Sequence, residues 1–135
     1  MASGIYEDFK EDLMGAAVDC TGDTINVALL DDSHAFTATD TSWAAISANE
    51  MTGTGYSANG AALASKTITV TSSVAIWDGA DTAWTTSTFT AYHAAIYSVT
   101  NTSSLICSID FGGAQTVSGG TFTIEWSTGG IITLT

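Results

Sequence analysis

The chain contains no arginine and no proline, and its only lysines are Lys10 and Lys66. Set against 14 acidic residues, these leave a formal net charge of −12. A surface this poor in cations cannot neutralise phosphates and release their counterions, which excludes nucleic acid as a partner. Anionic lipid is disfavoured for the same reason. No apolar run approaches the ~18 residues of a membrane span. The opening MASGIYEDFKEDL has no basic region followed by an apolar one, which predicts no signal peptide and folding in the cytosol. Cysteine is nearly missing too. Cys20 and Cys107 form no CxxC pair, which argues against a disulfide framework. Cys107 alternates with Leu105 and Ile109 and reads as a small buried thiol. There is no GxSxG elbow, no HExxH and no Walker motif, so the sequence points to no enzyme and implies no cofactor.

What is present is enough to fold. Hydrophobic residues make up 45% of the chain and 13 glycines punctuate it, so disorder does not fit. The 135 residues match one domain by the usual span of roughly 100–200 residues. Threonine and serine are abundant, and β-branched threonine favours pleated strands.

Alternation at period two recurs along the chain and predicts strands. Thr24–Leu30 is the first, with Ile25, Val27 and Leu29 on one face. Leu63–Ser72 is the second, and Val74, Ile76 and Trp77 form a short third. Thr88–Val99 is the longest. Phe89, Ala91, His93, Ala95, Tyr97 and Val99 fall on one face, and bulk on both faces predicts a central position. Leu105–Asp110, Thr121–Trp126 and Ile131–Leu134 complete the set, with turns at Asn101–Ser104, Gly119-Gly120 and Gly129-Gly130. Trp77–Trp84, WDGADTAW, reads as a loop bounded by two tryptophans. Before the strands, Ser3–Met14 reads as a helix capped by Ser3, with Ile5, Phe9 and Leu13 on one stripe, Tyr6 beside them and Gly15 at C′. Asp40, Thr41 or Ser42 starts a short helix through Trp43 and Ile46. The expected fold is an all-β, antiparallel β-sandwich, jelly-roll-like, in a single domain over residues 1–135. Residues 1–15 form a helix that either plugs one end or serves as an arm, and residues 22–135 form the sandwich.

Few side chains suggest chemistry. His93 and Cys107 are expected to neighbour each other across a hairpin, as a core histidine beside a core thiol rather than a reactive pair. GTGYSANG resembles a phosphate loop only loosely, because the following lysine is missing. Asp31 and Asp32, or Asp78 and Asp81, could offer oxygens to Ca²⁺, but the spacing is not that of an EF-hand and turn aspartates are the simpler reading. Trp126 alternates with Phe122 and Ile124 and reads as core. Trp43, Trp77 and Trp84 lie in or beside loops and read as interface anchors, with carbohydrate recognition at WDGADTAW as the competing reading.

The order of these segments carries a resemblance. YEDFKEDLM, DTINVALL, GTGYSANG, WDGADTAW, YHAAIYS and SLICSIDFGG…SGGTFTIEWSTGGI together resemble small structural proteins of tailed bacteriophages, over nearly the whole chain. The resemblance implies a virion component, most specifically a capsid decoration or cement protein on the outer shell. Its implied partners are the major capsid protein and further copies of itself, with a trimer favoured. Contacts would come from Tyr6, Phe9 and Leu13 in the N-terminal segment and from Trp43, Tyr56, Trp77 and Trp84. A neck, tail or fibre-associated protein is the alternative within the virion, and a carbohydrate- or receptor-binding module the alternative outside that class.

Overall fold

A computed structural model describes residues 3–135. It is an all-β fold of two antiparallel sheets with a short N-terminal helix. The elements are β1 (Gly4–Ile5), α1 (Glu7–Met14), β2 (Ile25–Leu30), α2 (Trp43–Ile46), β3 (Ala61–Ala62), β4 (Thr67–Thr71), β5 (Val74–Asp78), β6 (Thr82–Ser98), β7 (Ser104–Ile124) and β8 (Ile132–Leu134). The larger sheet has the order β1-β7-β6-β2-β3, and the smaller one β4-β5-β8.

The long strand β6 is central, as its two bulky faces predict. Both faces of the large sheet are covered. Ile25, Val27, Leu29, Ala94 and Ile96 face the main core, which Phe9 of α1 and Trp77 of β5 also enter. Ala28, Leu30, Ala95, Tyr97 and Leu105 face a second core closed by Tyr6, Trp43, Ile46 and Phe36. Every residue of β2 except Asn26 is therefore buried.

Three local expectations need correction. The first is the facing of β6. Its pairing with β7 shifts register between Ala91 and His93. An extra residue at such a bulge turns the rest of the strand to the other side. Phe89 and Ala91 thus share the main core with Ala94 and Ile96, while Ala95 and Tyr97 turn to the second. The second concerns the glycines. Gly112, Gly113 and Gly119 have φ of 78°, 149° and 62°, yet they bend one strand, Ser104–Ile124, rather than end it. Phe111 and Phe122, which would lie ~36 Å apart on a straight strand, have ring centroids 6.2 Å apart. The third is WDGADTAW, which is mostly strand. Only Gly79–Asp81 lies between β5 and β6, and this corner carries the chain from the small sheet to the large one.

The N-terminal segment starts differently from its expected form. Ser3 does not cap the helix; its Oγ accepts the backbone N–H of Asp110 at 2.8 Å. β1 pairs with β7 at Ser108 and Cys107, and α1 begins after Tyr6 without a side-chain cap. Gly15 stays right-handed at φ −82°, and Ala16 takes the left-handed position at φ 58°.

Candidate functional site

Most of the residues expected to make contacts between molecules are used inside this one. Tyr6, Phe9, Trp43, Trp77 and Trp84 are all buried, and Tyr56 is half-buried. Leu13 alone keeps substantial exposure, 38%. The correction has a common cause: the loops expected to carry the tryptophans are either strands or segments laid flat on the sheet. Trp77 Nε1 donates to the carbonyl of Cys20 at 3.0 Å. Trp84 pairs with Phe122 across the β6–β7 ladder. Trp43 stacks on Tyr97 with centroids 4.8 Å apart and planes within 1°.

The glycine-rich loop GTGYSANG is held down by a polar network. Tyr56 Oη donates to Glu50 Oε1 at 2.7 Å and accepts the N–H of Leu29 at 3.0 Å. Asn59 N donates to the same Glu50 oxygen at 2.6 Å. Tyr97 Oη donates to the Asn59 carbonyl at 2.7 Å, and Trp43 Nε1 to Asn59 Oδ1 at 3.1 Å. Burial, aided by the Glu50 carboxylate, pushes the Tyr56 phenol far above its ordinary value. The loop is therefore a lid over the sheet, fixed through one carboxylate and one asparagine.

A second polar cluster lies deeper. His34 and His93 meet edge to face, centroids 5.1 Å apart at 74°. His34 Nε2 lies 3.2 Å from Ser108 Oγ, and His93 Nδ1 lies 3.7 Å from Asp110 Oδ1. His34, His93 and Ser108 are all buried. Among the described residues, neither nitrogen of His93 has a hydrogen-bond partner, and nor does Tyr6 Oη. Burial lowers both histidines below their ordinary value; for His34 the neighbouring imidazole adds to this, and for His93 the Asp110 carboxylate opposes it. Both are neutral bases at pH 7. The expected neighbour of His93, Cys107, is on the opposite face, opposite Ile96 in the main core. Its thiol is pushed up to about 12 by burial, which makes it inert.

Sequence spacing carries no sign of this cluster. His34 and Ser108 are 74 residues apart, and His93 reaches them only because the bulge turns it. A serine within reach of a histidine is half of a nucleophile constellation, but a nucleophile needs room beside it for a reacting atom. Here both side chains are enclosed.

Three of the four aspartates considered for Ca²⁺ accept backbone N–H groups, Asp31 and Asp78 locally and Asp81 from a residue 45 positions away. Asp31 Oδ1 accepts the N–H of Ser33 at 2.8 Å, Asp78 Oδ1 that of Gly79 at 2.9 Å, and Asp81 Oδ1 that of Trp126 at 2.9 Å. Among the described residues, no three His, Cys, Asp or Glu side chains gather in a way that would hold a metal ion. Cys20 and Cys107 are both buried free thiols.

The exposed apolar surface centres on the small sheet. A groove of about 180 Å³ is lined by Phe9, Leu13, Cys20, Ile68, Trp77 and Leu134, among others. It opens between α1 and the small sheet. Ile68, Val70 and Leu134 are 52%, 71% and 62% exposed. Register places Ile68 beside Trp77 and Ile132, and Val70 beside Ala75 and Leu134. One face of the small sheet is thus apolar from edge to edge, and the groove beside it takes in Phe9, Leu13 and Trp77 from among the residues expected to make contacts.

No family model, curated protein or solved structure matches the chain.

Proposed function

We propose that this protein is a virion structural protein, a decoration or cement protein that binds the outer surface of a tailed-phage capsid and stabilises it. The observation that carries the reading is the pairing of an acidic surface with an uncharged apolar one. The chain bears a net charge of −12 on a two-sheet scaffold that leaves Ile68, Val70 and Leu134 open on its small sheet. Such a molecule is repelled by packaged DNA and suited to protein contacts on the outside of a shell. The order of its sequence segments, which resembles that of small virion proteins, supports the same reading.

The carbohydrate-binding alternative loses its recognition groups. It needs exposed, coplanar rings at Trp77 and Trp84, and both are buried. A neck or tail position differs from a shell position in symmetry. Density for the chain in a reconstruction of the virion that carries it tests this directly. Copies bridging capsomers on the shell are expected; a sixfold or twelvefold ring at the neck or tail would overturn the decoration reading.

A further inference from the structure

The outermost strand of the small sheet, β4, lacks the usual protections of a sheet edge. Natural edges are blunted by charge, proline, bulges or a covering segment. β4 reads Thr67-Ile68-Thr69-Val70-Thr71, all five residues are exposed, and its register with β5 runs without a bulge from Thr67↔Asp78 to Thr71↔Val74. From Leu63 to Trp77 the chain carries no acid and a single cation, Lys66, although it holds 14 acids in all.

We infer that β4 is the contact for a second copy of this chain, joined antiparallel about a two-fold axis at Thr69. Two features select this occupant. The first is charge. Two copies of a chain at −12 repel over most of their surface, whereas β4 and its flanks carry no acid of their own; the acids nearest them are Asp78, across the ladder from Thr67, and Asp19, beside Ile68 and within the field of Lys66. The second is self-complementarity. TITVT reads almost the same in both directions, and a two-fold contact sets the same patch against itself. About Thr69, Ile68 of one copy lies opposite Val70 of the other, and Thr67 opposite Thr71. Residues directly opposite in an antiparallel pair share a face. The apolar row Val70–Ala75–Leu134 of one small sheet therefore continues into the row Ile68–Trp77–Ile132 of the other. The product is one six-stranded sheet with an apolar face, and a dimer where the resemblance implies a trimer. The inference does not rest on the virion reading, since it concerns the isolated protein.

Sedimentation of the full chain over a range of concentrations tests it. A monomer–dimer equilibrium is expected, and Val70→Lys should weaken it by ~10-fold or more by setting like charges near each other. Circular dichroism would show that Val70→Lys keeps the fold. A second variant does not depend on that. Thr69→Cys should form a disulfide-linked dimer under mild oxidation, and Thr71→Cys, displaced from the axis, should not. A wild-type chain that stays monomeric at every concentration would overturn the inference. So would an oligomer that Val70→Lys leaves intact, or equal cross-linking of Thr71→Cys and Thr69→Cys.

Discussion

Tyr56 illustrates how single hydroxyls hold this fold together. Its Oη bridges the Leu29 amide and the Glu50 carboxylate. Tyr56→Phe leaves the amide without its acceptor and removes a donor from Glu50, and an unsatisfied buried polar group costs about 1–3 kcal/mol. Urea unfolding should show a loss of that order; an unchanged midpoint would mean that the network is not structural. The histidine pair sets a pH dependence. Both histidines lie below the ordinary 6.5 in the folded chain, so the unfolded chain takes up protons that the folded one refuses. Their effect on stability is absent well above pH 6.5 and becomes a progressive loss as pH falls below it. Asp31, Asp32, Asp40 and Asp110 oppose the shift of one or both rings. Falling net charge acts in the opposite direction, by easing self-repulsion. The comparison that isolates the histidines is wild type against the His34→Gln/His93→Gln double variant, melted at about pH 7.5 and about pH 5. Wild type should lose more, or gain less, on acidification than the variant. Equal changes would refute the role assigned to the pair.

At the scale of elements, turns and bulges decide more than strand propensity. The β4–β5 turn places Ser72 and Ser73 at φ 50° and 66°, the left-handed conformation that two-residue hairpins favour and serine does not. Replacing Ser72-Ser73 with Asn-Gly should raise stability by roughly 0.5–1 kcal/mol in chemical denaturation. Gly60 is the converse case. It has φ 83°, and a Cβ there would strike the Val27 backbone, so Gly60→Ala should be strongly destabilising. Gly112 has a similar φ of 78° but open space around it, and alanine there should cost only the conformational strain, about 1–2 kcal/mol. These elements also show how much is legible in the sequence. The strand Ile25–Leu30, the run from Val74 to Trp77 and the central place of β6 follow from local alternation and bulk, and the short helix at Trp43 from the cap residues before it. The facing of His93 does not, because one bulge reverses the alternation after Ala91. The continuity of β7 does not, because a glycine pair signals a turn as readily as a bend. The burial of the tryptophans is hidden because Trp43 and Trp77 find their partners far along the chain, at Tyr97 and Cys20.

For the whole molecule, the N-terminal segment is part of the core. Phe9 reaches the main core and Tyr6 the second. Asp12 ties α1 to the β6–β7 turn, accepting from Ser104 Oγ at 2.5 Å and Asn101 Nδ2 at 3.2 Å. Phe9→Ala should therefore lower global stability by about 3–5 kcal/mol, where a detachable arm would lower assembly alone. An acidic exterior and the exposed apolar side chains Ile68, Val70 and Leu134 of the small sheet are left open to partners. We propose that this surface meets a capsid shell. The proposal is tested most directly by adding the purified chain to expanded tailed-phage capsids from the source of its gene, and measuring cosedimentation and the temperature at which the shells break down. The chain should sediment with the shells and raise their breakdown temperature; binding confined to tails, or shells no more resistant than before, would rule out a role as a capsid decoration protein.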